Sequence, residues 1–282
     1  MQIKKSLLLA ASLFLSVTLP AEKALASGKY ASEKLWLAGE LSNSAVKTDA
    51  IHSPGVVGAG AITAFDVKPA DVFRDYLKAI GGMEVLQQVK SLYVMSKVQL
   101  QGMDFDIEVK AMAPRLEAMT MSTQGNVVMR SKFDGTAGFT ELSGNKTPLS
   151  EAEIKEKTVL TSLVEQLDYL KNPAFVAEVK GIEPVNGANA YKINITYPTG
   201  NTKSEFYDVK TKLLVKKEET KTEGFKTTTS SQVFTDYKMV GKINFPFTQT
   251  LTISSTEGEK QVLEMKATVV KINEGVTTAD FK

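Results

Sequence analysis

The stretch SLYVMSKVQLQGMDFDIEVKAM, residues 91–112, sets a strict period of two. Leu92, Val94, Ser96, Val98 and Leu100 alternate with Tyr93, Met95, Lys97 and Gln99. Beyond Gln101-Gly102, Met103, Phe105, Ile107, Val109 and Ala111 alternate with Asp104, Asp106, Glu108 and Lys110. Alternation puts each set on one face of a strand, and two such runs flanking a glycine turn predict a β-hairpin. The same pattern predicts strands near 116–122, 127–133, 175–180, 191–197, 204–209, 213–220, 226–237, 245–254 and 261–272. Their links carry turn residues, among them Gln124-Gly125-Asn126, Asn186-Gly187, Thr199-Gly200-Asn201 and Glu257-Gly258. Links this short exclude parallel crossovers, which need about a dozen residues or more, so neighbouring strands run antiparallel in a long meander.

Two segments read as helix. Pro69 suits a first helical position, and Val72, Phe73, Tyr76, Leu77 and Ile80 share a face before Gly81-Gly82 ends the run. A shorter turn through Val85, Leu86 and Val89 leads into the first strand. Inside the meander, Ser150-Glu151-Ala152-Glu153 is a capping box. Leu160, Leu163, Val164, Leu167 and Leu170 then form an apolar stripe that ends at Asn172-Pro173, with Glu165, Asp168 and Lys171 on the opposite face. This predicts one helical insertion of about twenty residues packed on the concave side of the sheet.

Upstream, Lys4 and Lys5 precede the apolar run from Ser6 to Pro20, and Ala24-Leu25-Ala26 has the small-x-small form of a cleavage site. Residues 1–26 are expected to be a cleaved secretory signal, too short for a good membrane span. Residues 27–66, rich in Gly, Ala and Ser, are expected to form a flexible leader, with Trp36 as an isolated apolar spot. Gly58-x-Gly60 lacks the further glycine or Lys-Ser/Thr of a phosphate loop. The folded domain then spans 67–282.

Composition narrows the chemistry. The chain has no cysteine and one histidine, His52. It therefore has no disulfide framework, no thiol nucleophile, no lipid-modified cysteine and no two-histidine metal centre, and no cofactor is expected. Removing the signal takes away Lys4, Lys5, Glu22 and Lys23 and leaves equal numbers of basic and acidic residues, so no nucleic-acid partner is expected. No second apolar stretch of spanning length follows, and the product is expected not to be an integral membrane protein.

The segments ADVFRDYLKAIGGMEVLQQVKSL, AYKINITYPTGNTKSEFYDVKTKLLVKKEE and DYKMVGKINFPFTQTLTI resemble the LolA/LolB-like superfamily of periplasmic lipid and lipoprotein carriers. They are especially similar to LolA-like domains appended to insulinase-type peptidases or standing alone. The resemblance covers roughly 68–282. It rests on a helix ending in Gly-Gly, an Asp-x-x-Thr hairpin turn and an Asn-Phe-Pro turn into a late strand. It implies an α+β fold: a strongly curved, incomplete antiparallel barrel of about 10–12 strands, with helices over its concave face. It also implies a non-catalytic, exported, periplasmic carrier of lipid or lipoprotein acyl chains, with an envelope protein as a further partner. The alternative is a protein-interaction module whose cavity is plugged by its own helices.

A carrier needs a deformable apolar wall, and methionine suits one. The expected cavity residues are Met103, Phe105, Ile107, Met119, Met121, Met129, Leu160, Leu163 and Leu167, with an ordinary core as the other reading of the methionines. Burying about ten methylenes at roughly 0.8 kcal/mol each gives about 8 kcal/mol, in the micromolar range. Glu117, Met119 and Met121 share one face of their strand, and Leu116, Ala118 and Thr120 the other. The family includes an arginine near the cavity mouth; Arg115 and Arg130 are its candidates by strand position, and both read as surface ion-pair partners. An enzyme reading finds little support: His52 stands alone, no Gly-x-Ser-x-Gly elbow is present, and Asp104 and Asp106 alternate with apolar residues as a solvated strand face.

Overall fold

A computed structural model of the chain describes residues 66–100, 102–258 and 260–282. The expected signal, the expected leader apart from Asp66, Trp36 and His52 lie outside the described residues.

Helix α1 (Pro69–Ala79) begins on its proline and buries Val72, Phe73, Tyr76 and Leu77. Gly81 ends it at φ +140°, against the sheet: a Cβ there would stand 2.7 Å from the Lys242 carbonyl oxygen. The backbone N–H of Asn244 donates to the Ile80 carbonyl at 3.0 Å, pinning the helix end to a strand turn. One helical turn, α2 (Met83–Leu86), leads into β1 (Ser91–Leu100) and β2 (Met103–Met112). Strands β3 (Leu116–Thr123), β4 (Asn126–Phe133), β5 (Gly138–Leu142) and β6 (Asn145–Pro148) follow. Helices α3 (Glu151–Thr158) and α4 (Glu165–Lys171) come next. Then come β7 (Val176–Val185), β8 (Ala188–Thr196), β9 (Thr202–Asp208), β10 (Leu214–Glu223), β11 (Lys226–Val240), β12 (Ile243–Ser255) and β13 (Lys260–Ile272).

All thirteen strands belong to one antiparallel sheet, in the order β6-β5-β4-β3-β2-β1-β13-β12-β11-β10-β9-β8-β7. The sheet is curved and does not close into a barrel. It consists of two meanders, joined where β1 pairs with β13, with Leu92 opposite Ile272 and Val94 opposite Val270. The thirteen strands exceed the expected 10–12 by one, and the two that fall outside the stretches read as strands are β5 and β6. They are short, β6 is exposed along its length and ends on Pro148, and neither carries the alternation by which a half-buried strand is read.

The chain leaves the sheet at one edge, β6, and re-enters at the other, β7. The segment between them is a strap across the sheet, and it is not the single helix that its leucines predict. It breaks after Thr158 because Asp168 captures the next residues: its carboxylate accepts from the backbone N–H of Thr161 and of Ser162, both at 2.8 Å, and from their hydroxyls at 2.6 and 3.1 Å. Local side-chain hydrogen bonds of this kind compete with helix continuation.

Among the described residues, beside a small cluster of Val185, Ala190 and Phe206, two large apolar clusters dominate the packing. One joins α1, α2 and the strap, through Leu160, Leu167 and Tyr169, to β7–β12 residues such as Ile193, Ile195, Tyr207 and Leu214. The other contains strand residues only: Val94, Val98, Leu100, Phe105, Ile107, Val109, Met119, Met121, Met129, Leu251, Ile253, Leu263 and Met265. Cross-strand partners place these on one face, with Val109 opposite Met119 and Met121 opposite Met129.

The close approach at Gly81 separates steric from conformational cost. Gly81→Ala and Gly82→Ala both force a side chain onto positive φ, at roughly 1–2 kcal/mol. Only Gly81 meets backbone within 3 Å. Chemical denaturation should show the larger loss for Gly81→Ala, by about 1 kcal/mol or more; equal losses would remove the proposed contact.

Candidate functional site

Between the strap, α1–α2 and the sheet lies a cavity of about 240 Å³. Its apolar lining comes from Ile80, Leu86 and Val89 at the helical end, Leu92, Val94, Val109, Phe245 and Ile272 on the central strands, and Leu163 and Val164 from the strap. The register explains why these side chains converge. Leu92 and Val94 face Ile272 and Val270 on one side, and Val94 faces Val109 on the other. Opposite them the lining turns polar: Lys217, Glu219, Ser230, Gln232 and Gln249 project from β10, β11 and β12, where Lys217 pairs with Gln232 and Glu219 with Ser230.

On the polar side of the cavity the strap is fastened to the sheet by charges, several of them buried. Glu165 on α4 lies 2.8 Å from Lys217 and 3.6 Å from Arg115, and accepts from the Tyr169 hydroxyl at 2.9 Å. Lys217 also reaches Glu205, at 3.2 Å. Gln166 donates to Glu205 at 2.9 Å and to the Tyr207 hydroxyl at 3.0 Å. On α3, Glu156 pairs with Lys203 at 3.0 Å and accepts from Asn201 at 2.9 Å, and Lys157 pairs with Glu117 on β3. Arg115 Nε stands 2.9 Å from Glu117 Oε1, in ion-pair contact without hydrogen-bond geometry, and its guanidinium also donates to the Ser162 carbonyl at 3.4 Å.

Two expectations are corrected here. Glu165 and Asp168 were expected on an outward face, yet they are 7% and 4% exposed: Glu165 meets Arg115 from the turn before β3 and Lys217 from β10, and Asp168 caps the break in the strap. Arg115, expected at the surface, is 4% exposed between Glu117 and Glu165. Arg130 is exposed.

Burial by itself pushes the Glu165 carboxyl up; the charges of Lys217, Arg115 and Lys203 overcome it and hold Glu165 well below the ordinary carboxylate range. Lys217 is moved the other way: burial opposes its charge, and Glu165 and Glu205 raise it. Burial, with the Glu165 and Glu205 charges behind it, pushes the hydroxyls of Tyr169 and Tyr197 well up, so both remain protonated donors.

Of the nine expected cavity residues, Leu163 lines the cavity. Leu160 and Leu167 anchor the strap in the first cluster. Phe105, Ile107, Met119, Met121 and Met129 lie in the strand-only cluster, continuous through Val94 and Val109 with the cavity wall. Met103 is 39% exposed beside the β1–β2 turn. The polar lining on β10–β12 was not read from the sequence. The usable signal was parity, since Gln232, Phe234 and Leu251 fall on the same face.

Among the described residues, no group of three or more His, Cys, Asp or Glu is placed to hold a metal ion, and no helix is long and apolar enough to cross a membrane.

No protein-family model and no curated protein sequence matches the chain. Solved structures do. A DUF1329 family protein from Desulfovibrio piger matches with a TM-score of 0.51 at 9% identity, over 77% of this chain and 98% of its own. A LolA superfamily protein from Nitrosomonas europaea gives 0.49 at 10% identity, over 79% and 98%. The lipoprotein LppX of Mycobacterium tuberculosis gives 0.28 at 13%, over 74% and 97%. The first likeness establishes a shared fold and carries no activity with it.

The charge network makes a pH prediction. Because the folded state lowers the Glu165 pKa from 4.5, its stabilisation is complete above the unfolded value and drains away as the pH falls through 4.5 and below. Glu165→Gln should cost about 3 kcal/mol near neutrality, and this difference from the wild type should shrink in denaturation curves taken at successively lower pH between about 6 and 3. A difference constant with pH would mean that the carboxylate charge contributes nothing.

Proposed function

We propose that this protein is an exported, non-catalytic carrier that shelters the acyl chain of a lipid or lipoprotein in the cavity beneath the strap. The observation that carries the reading is the cavity itself. It is a space of about 240 Å³ with a continuous apolar wall from Ile80 to Ile272, extended by the strand-only cluster of β1–β4, β12 and β13. An apolar chain entering it gains roughly 0.8 kcal/mol per methylene removed from water, with no covalent or metal chemistry required. The methionines at 119, 121 and 129 lie in that cluster beside the lining, where thioether side chains can repack as the wall adjusts to chains of different shape. The fold of the DUF1329 protein supports the scaffold, and the small-x-small signal at residues 24–26 supports export to the periplasm.

Native mass spectrometry of protein purified from a Gram-negative envelope should show a co-purifying acylated species. Leu163→Asp puts a carboxylate into the cavity lining while leaving every residue of the ion network in place, and should reduce the bound fraction about tenfold or more while the far-ultraviolet circular dichroism stays unchanged. Wild-type protein that is consistently empty would favour an interaction module with a self-filled cavity.

A further inference from the structure

Five charged side chains line the cavity: Glu165, Lys203, Lys217, Glu218 and Glu219. Each is already matched within the chain. Lys217 lies 2.8 Å from Glu165 and 3.2 Å from Glu205, and Lys203 lies 3.0 Å from Glu156. Glu218 lies 2.5 Å from Lys216, and Glu219 lies 3.4 Å from Lys221. The wall therefore offers an entering molecule no uncompensated charge of either sign.

A carboxylate or phosphate head would have to draw Lys217 away from Glu165 and Glu205, whose side chains are 8% and 2% exposed. Parting a buried carboxylate from its cation costs more than a partly solvated new pair returns. An ammonium head meets the mirror problem at Glu165, held by Lys217 and Arg115; at Glu218 and Glu219, whose pairs with Lys216 and Lys221 are partly exposed, it would only exchange one cation for another. The remaining polar lining is neutral. Gln232 donates to the Gln249 side-chain oxygen at 2.6 Å, which orients the two amides, and Ser230 stands across from Glu219 on the same face. Amides and hydroxyls both donate and accept, which is what an ester, amide or hydroxyl group needs.

We infer that the cavity selects an amphiphile whose polar part is uncharged, a hydroxyl-, ester- or amide-bearing acyl compound, seated with its polar part towards Gln232 and Gln249 and its chain along the β1–β2 and β12–β13 wall. This rests on the carrier reading and adds the head-group class to it. The pairing itself sets the discrimination, so selectivity should follow the charge of the ligand more than its length.

The test is displacement of a neutral environment-sensitive naphthylamine probe from the full protein by a monoacylglycerol, the fatty acid and the alkylamine of one chain length, at a pH where acid and amine are ionised. The expected result is an affinity for the monoacylglycerol on the order of tenfold or more above both ions, with the fatty acid gaining as the pH is lowered and its carboxylate takes up a proton. A fatty acid or an alkylamine binding as tightly as the monoacylglycerol, or a fatty-acid affinity indifferent to pH, would overturn the inference and leave the carrier reading standing. A probe that gains no fluorescence with the protein would instead remove the carrier reading itself.

Discussion

The pairing of β1 with β13 is the constraint from which the rest of the architecture follows. It joins residues about 180 positions apart in the chain, Leu92 with Ile272 and Val94 with Val270, and so turns two local meanders into one sheet. Once it forms, β6 and β7 are the two edges of that sheet, and the chain between them has to cross from one to the other. The strap is a topological necessity before it is anything else. Its crossing brings Leu163, Val164 and Glu165 over the central strands and leaves space beneath them for the cavity.

The crossing also explains why so many charges are buried on a short segment. A strap that packed by leucines alone would be free to slide along an apolar wall, because hydrophobic contact is non-directional. Glu156, Lys157 and Glu165 instead meet specific partners on β9, β3 and β10. Buried ion pairs are weak evidence for net stability, and fixing a register is the best attested use of such groups. Here the pairs hold the strap at one position across the sheet. They also match Glu165, Lys203 and Lys217 at the cavity, while Glu218 and Glu219 are matched by Lys216 and Lys221 of their own strand, so the site is electrically balanced.

The strands were legible because each half-buried strand writes its own face in alternation: Val94, Val98, Phe105, Ile107 and Val109 could be assigned together without any partner in view. The capping box at Ser150 was equally local, and Glu153 completes it with Ser150 as expected. What escaped was everything that depends on a distant partner. Glu165 is an outward-facing carboxylate on a helical wheel until Arg115, fifty positions upstream, and Lys217, fifty-two downstream, are brought to it. The hint was Glu117, on the same strand face as Met119 and Met121: a carboxylate sharing parity with buried methionines needs a cation, and Arg115 and Lys157 supply it. The single long helix fails for a local reason instead: the leucine stripe is real, but Asp168 reaches back six and seven residues to Ser162 and Thr161 and holds the chain out of helix.

Where an acyl chain sits separates a carrier from an interaction module. Photo-crosslinking with an acyl probe carrying a diazirine at the end of its chain, followed by peptide mapping, reads that position directly. Adducts concentrated on Leu163, Phe245 and the cavity-facing residues of β1 and β2 are the predicted result. Adducts confined to exposed apolar positions such as Val176, Met239 and Val262, with none in the cavity lining, would contradict it.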